Sequence, residues 1–150
     1  MTKPGDAPSD MEQRDIELGL TYSRGRTWSS NSLLALEAGE FANENESPAI
    51  AWAFHRALFK AYFTDLADIS DLDVLLEAGR EAGVDVAALR ASLEARSYRA
   101  EVADGLRWSR EIGVTGVPTF VIDEQHAVVG AQPFEVFERV LQQLGKVPRA

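Results

Sequence analysis

The chain has 150 residues, 45% of them apolar, and its 15 Lys and Arg face 24 Asp and Glu for a net charge of −9. That length supports one domain with its own core, while the acidic balance leaves no cationic surplus for nucleic acid or an anionic membrane. The absence of cysteine excludes a disulfide framework, a thiolate nucleophile, a Cys-x-x-Cys pair or an Fe–S cluster on this polypeptide.

Two histidines far apart in sequence, His55 and His126, are a poor inventory for a metal, and no metal or cofactor is expected. No apolar run is long enough for a signal peptide or a membrane helix, so the expected location is cytoplasmic.

In chain order, residues 1–10 carry two prolines, a glycine and small polar residues, and read as a flexible leader. Residues 11–20 form a short helix ending at Gly19, with Ile16 and Leu20 on one face. Residues 20–30 form an irregular connector in which Tyr22, Arg24, Arg26 and Trp28 anchor a loop on a helical core. Asn31 or Ser32 caps a helix with Leu33, Leu34, Leu36 and Phe41 at helical spacing, broken over 43–47. Ser47 followed by Pro48 is a strong start signal for a helix over 49–64. Its apolar positions, Trp52, Phe54, Leu58, Phe59 and Phe63 among them, wrap most of the circumference, which predicts burial against several neighbours. His55 within it is assigned no role.

Ser70 with Asp73 predicts a capping box ahead of Val74, Leu75 and Leu76, with Gly83 as the stop. Asp85 caps the next helix, carrying Val86, Leu89 and Leu93. A further helix spans about 97–112, with Tyr98, Val102, Leu106 and Ile112 as its stripe and Gly113 closing it. Glu77, Glu81, Glu94, Glu101 and Asp104 read as solvated charge among arginines, not as acid–base pairs.

Gly113-Val114-Thr115-Gly116-Val117-Pro118 then feeds the short β-branched and aromatic run Thr119-Phe120-Val121-Ile122. A polar turn over 123–126 leads to a second strand, Ala127, Val128 and Val129. Gly130-Ala131-Gln132-Pro133 opens a last helix, with Pro133 at its first position, through Phe134, Phe137, Val140, Leu141 and Leu144 to Gly145. Local chemistry alone reads this as a hairpin under a helix with Pro118 trans, the ordinary state of X–Pro bonds. Two strands do not make an independent sheet core, so something beside the hairpin looks missing.

These segments resemble the DsbA-like thiol–disulfide oxidoreductase family, in its cytoplasmic FrnE-type branch. The carriers are Phe54-His55-Arg56-Ala57-Leu58-Phe59-Lys60-Ala61-Tyr62-Phe63 with Asp68-Ile69-Ser70-Asp71, the loop ending in Val117-Pro118-Thr119-Phe120, Val129-Gly130-Ala131-Gln132-Pro133, and Asn31-Ser32. The resemblance implies a mostly helical α/β chain holding part of a thioredoxin fold. Its domains would be a leader (1–10), a helical insertion domain (11–112) and a C-terminal ββα half (113–150).

The resemblance further implies a cis Val117–Pro118 bond in a substrate-binding loop of Thr115, Gly116, Val117 and Pro118. The family's upstream strand, Cys-x-x-Cys helix and next strand have no counterpart in these residues, so no catalytic residue is assigned. Thiol–disulfide exchange by the chain alone is not expected. The implied partners are an extended peptide or protein thiol substrate. A second copy of the chain, or a separately encoded Cys-x-x-Cys half, could dock on the open edge of strand Thr119–Ile122. A truncated product without independent activity is a further reading. The kappa-class glutathione transferase and 2-hydroxychromene-2-carboxylate isomerase group shares the fold and the Val-Pro loop, but the Gly-Ala-Gln-Pro segment fits the oxidoreductase branch better.

Overall fold

In a computed structural model of the chain, residues 7, 9–123 and 126–146 are described. Most of the leader expected over 1–10, and the centre of the hairpin turn at 124–125, therefore lie outside the described residues. The elements are α1 (Asp10–Glu17), α2 (Leu33–Asn45), α3 (Pro48–Phe59) continued by a π-helical turn (Lys60–Thr64), α4 (Leu72–Ala82), α5 (Val86–Ala95), α6 (Arg99–Glu111), β1 (Thr119–Ile122), β2 (His126–Val129) and α7 (Phe134–Gln143). They form two compact units, 1–104 and 105–150, divided inside α6, upstream of the 112/113 position expected from the sequence.

In the first unit α1 to α5 each start where a side chain takes an orphan amide. Ser47 Oγ accepts from Ile50 N–H at 3.4 Å with Pro48 in the first turn, and Asp85 accepts from Ala87 and Ala88, both at 3.0 Å. Asn31 Oδ1 takes Leu33 N–H at 3.0 Å, while Ser32, the N-cap residue of α2, makes no side-chain cap bond.

Two starts differ from the sequence expectation. α4 is capped by Asp71, which accepts from Asp73 N–H at 2.8 Å, while Ser70 is turned back onto Asp68 Oδ1 through both its N–H and its hydroxyl. α1 begins earlier than 11, because Ser9 and Glu12 form a reciprocal capping box.

The core of this unit is one cluster built on Phe54, Leu75, Leu89 and Leu93, with Ala38, Phe41, Ala42 and Leu76 filling between α2, α3, α4 and α5. Close approach is permitted by Gly79, where a Cβ would stand 3.0 Å from Leu89 Cδ2, and by Gly39, where it would meet His55 Cε1 at 3.0 Å. One acid sits in the packing: Glu37, 1% exposed, receives the Arg96 guanidinium, with Nε 2.9 Å from Oε2. Arg26 is held between Trp28 and Tyr62, its guanidinium carbon 4.6 and 4.1 Å from their ring centroids, and donates to the carbonyls of Tyr62 and Ala67. That is the aromatic-anchored connector the sequence implies.

α3 is less enclosed than its composition predicts. Ala51, Phe54 and Leu58 are buried, but Trp52 is 72% and Phe59 63% exposed.

In the second unit β1 and β2 pair antiparallel, with Phe120 opposite Val128 and Val121 opposite Ala127. Strand alternation sends successive side chains to opposite faces. Phe120 meets Phe137 of α7 edge-to-face, with ring centroids 4.9 Å apart. Val121, Ala127 and Val129 line a recess of about 410 Å³ with Trp108 of α6 and Ile112 just after it. α7 starts at Phe134, with Pro133 as the residue before the helix and not its first member. Among the described residues of this unit only Val128 is buried among the hydrophobics, and none of α7 is.

Candidate polypeptide-binding edge

The loop 114–118 is fixed at both ends by backbone. α6 closes with Gly113 at φ +77°, its N–H donating to the Arg110 carbonyl at 3.0 Å while Val114 N–H donates to Ser109 O at 2.9 Å, the paired pattern of a glycine-terminated helix. At the far end Gly130 N–H donates to the Pro118 carbonyl at 2.7 Å. Between them, Thr119 Oγ1 donates to Gly116 O at 2.6 Å and tightens the bend. The Val117–Pro118 peptide is cis, and Val117 is 91% exposed.

The bond from Gly130 to Pro118 also sets which edge each backbone group faces. Antiparallel neighbours alternate between hydrogen-bonded and non-bonded pairs. With the position-118 carbonyl bonded to β2, positions 120 and 122 face β2 too, and 119 and 121 point away. In the two-stranded sheet of the described residues that far edge of β1 has no strand beside it. Thr119 and Val121 therefore turn their N–H and C=O groups outward, next to the exposed Val117. Unpaired backbone donors and acceptors are thereby spaced along that edge.

The structure thus gathers Thr115, Gly116, Val117 and Pro118 into one loop whose Thr115, Val117 and Pro118 are exposed and whose Gly116 is half-buried. The loop runs directly into the open edge. Thr119 and Val121 belong to the same surface, and their role comes from the pairing register, which no spacing in the sequence discloses. Trp108 of α6 and Ile112 just after it flank the β1 face. Their place at the helical period of α6 is visible in the sequence, but the face they serve is not. Among the described residues no group of three or more His, Asp or Glu converges on a metal-sized space.

A loop bearing proline at the head of a strand, a hairpin, a following helix and a helical unit inserted ahead of it define a thioredoxin-fold chain of the DsbA type. The chain belongs to the DSBA-like thioredoxin domain family, which matches it over residues 9–142.

Among solved structures it is similar to a probable DsbA oxidoreductase from Streptomyces coelicolor, with a TM-score of 0.75 and 29% identity over 92% of this chain and 59% of that one. The uncharacterized protein YwbO of Bacillus subtilis is 31% identical over 109 residues, 72% of this chain and 52% of YwbO. The ClpXP adapter protein SpxH of Shouchella clausii is 30% identical over 122 residues, 77% of this chain and 39% of SpxH. The chain therefore spans about half or less of the length of the curated relatives it matches.

Proposed function

We propose that this DsbA-family chain binds extended polypeptide by strand addition along β1, with Thr115, Gly116, Val117 and Pro118 receiving the incoming chain. The observation that carries this reading is the orientation of Thr119 and Val121 toward an edge with no neighbouring strand among the described residues, directly after the exposed Val117. Affinity comes from main-chain hydrogen bonds and modest selectivity from the apolar flank of Val117 and Val121. These 150 residues hold no thiol, so disulfide exchange on a bound peptide requires cysteines from another polypeptide segment.

A second reading names that segment: the bound strand is part of a Cys-x-x-Cys-bearing half, in the same or another chain. It is favoured by the hairpin unit, which buries little of its own apolar surface among the described residues, with Phe134 72% exposed. The two readings share one edge and differ in the occupant. A cytoplasmic setting is part of both. The kappa-class glutathione transferase and 2-hydroxychromene-2-carboxylate isomerase relationship is a lesser alternative, sharing the fold and the Val-Pro loop.

The test uses Val121→Pro, which removes an outward donor and leaves the bonds to β2 in place, the situation in which an edge strand tolerates proline. Fluorescence anisotropy with a labelled, extended, apolar peptide should show saturable binding to the unmodified chain and at least about tenfold weaker binding to Val121→Pro. Equal binding by both proteins, with circular dichroism showing the same fold, excludes the edge as the site.

A further inference from the structure

The helical unit holds a recess of about 590 Å³ that the strand-addition reading does not use. Leu20 and Tyr22 of the connector form one wall, and Phe59 of α3 with Phe63 of the π-helical turn forms the other. Arg56 and Lys60 stand along the same helical side. The connector is tied in place by Thr64 Oγ1 donating to the Thr21 carbonyl at 2.6 Å and by Ser23 N–H donating to Phe63 O at 3.0 Å. The rings are ordered against one another: Phe59 and Phe63 stack with centroids 6.1 Å apart, and Tyr22 lies 5.8 Å from Phe63. A π-helical turn at this spot fits a functional position, since such turns gather at sites of use.

The walls are apolar yet solvent-facing: Leu20, Phe59 and Phe63 are all exposed. The two cations differ. Lys60 Nζ donates to Asp65 Oδ2 at 2.7 Å, and that hydrogen bond and charge hold its ammonium above the usual lysine range. The Arg56 side chain makes no hydrogen bond or ion pair among the described residues, on a chain whose net charge is −9. An unmatched guanidinium over an aromatic recess suits a ligand with a flat or branched apolar body and one anionic end. A dianion is disfavoured, because the second cation is already matched and Asp65 repels further negative charge. The volume lies in the range of small-molecule sites, not of a docked helix.

We propose that this recess binds a small amphipathic carboxylate, with its apolar body between Phe59 and the connector and its carboxylate on Arg56. The site is independent of the β1 edge.

The experiment is calorimetric titration of the full chain with 2-naphthoate and, separately, with its uncharged amide. Naphthoate binds one per chain and at least about tenfold tighter than the amide. Arg56→Gln removes that preference, Arg56→Lys retains part of it, and Lys60→Gln leaves it in place. Phe59→Ala weakens acid and amide alike, and Val121→Pro changes neither. All these side chains except Val121 are exposed on the helical unit, and circular dichroism verifies that each variant folds. Equal affinity for acid and amide, naphthoate binding unaffected by Arg56→Gln, or no saturable binding at millimolar concentration each overturns the proposal.

Discussion

Glu37 and Glu12 are the two buried acids among the described residues, and each is held by an arginine remote in sequence: Arg96 for Glu37 and Arg24 for Glu12. A buried carboxylate stripped of its partner is costly, because the remaining charge keeps its desolvation without compensation. Arg96→Met should therefore destabilise the chain by about 2 kcal/mol in urea denaturation, discounted for the partial exposure of the guanidinium. Removing the exposed pair of Arg80 and Glu77 should change stability by no more than about 0.5 kcal/mol.

Glu12 adds a pH dependence. Hydrogen bonds from the Ser9 backbone and hydroxyl, assisted by Arg24, hold its carboxyl below the usual carboxylate range. A depressed acid stabilises the fold above its unfolded pKa of about 4.3, and that stability is lost as pH falls through the lower folded value. Amide exchange in α1 should thus accelerate, relative to that in α2, as pH drops below about 4. Glu12→Gln should flatten the response. A response identical in the variant would place the pH sensitivity elsewhere.

At the scale of elements, starts and stops are the best-marked features of the chain. Ser47 with Pro48, Asp85, Gly83 and Gly113 were legible because each acts on backbone within three or four residues of itself. Asp71 was not separable from Ser70, since both can cap and only the turn made by Asp68 decides between them. Asp71→Ala should cost about 1 kcal/mol and Ser70→Ala clearly less.

Glycines inside helices divide by what stands over them. Gly79→Ala should destabilise, because the new methyl meets Leu89 at 3.0 Å and the core cannot widen without loss. Gly105→Ala, with nothing within 4 Å, should stabilise by about 0.5–1 kcal/mol through helix propensity alone. Thermal melts of the pair read both signs. The exposure of Trp52 and Phe59 was beyond the sequence, since an apolar helical surface does not state whether a neighbour arrives to cover it.

At the scale of the molecule the two units differ in how much each supports itself. The helical unit closes a continuous core from α2 to α5, whereas the hairpin unit buries Val128 and leaves Phe120, Val121, Val129 and Phe134 exposed. The helical content, the hairpin and the loop at Pro118 were legible in the sequence because each follows from local periodicity and turn chemistry. The register that sends Thr119 and Val121 outward, the pairing of Glu37 with Arg96 and the recess beside Arg56 were not. All three depend on contacts between residues distant in the chain or on which strand edge stays open.

Strand addition at the open edge of β1 is read out by residue-resolved amide exchange with and without saturating peptide. Thr119 and Val121 should exchange freely in the chain alone and become protected together on binding, while Phe120 and Ile122 change little. Protection confined to α2 through α5, or equal protection of all four β1 amides without peptide, would contradict it.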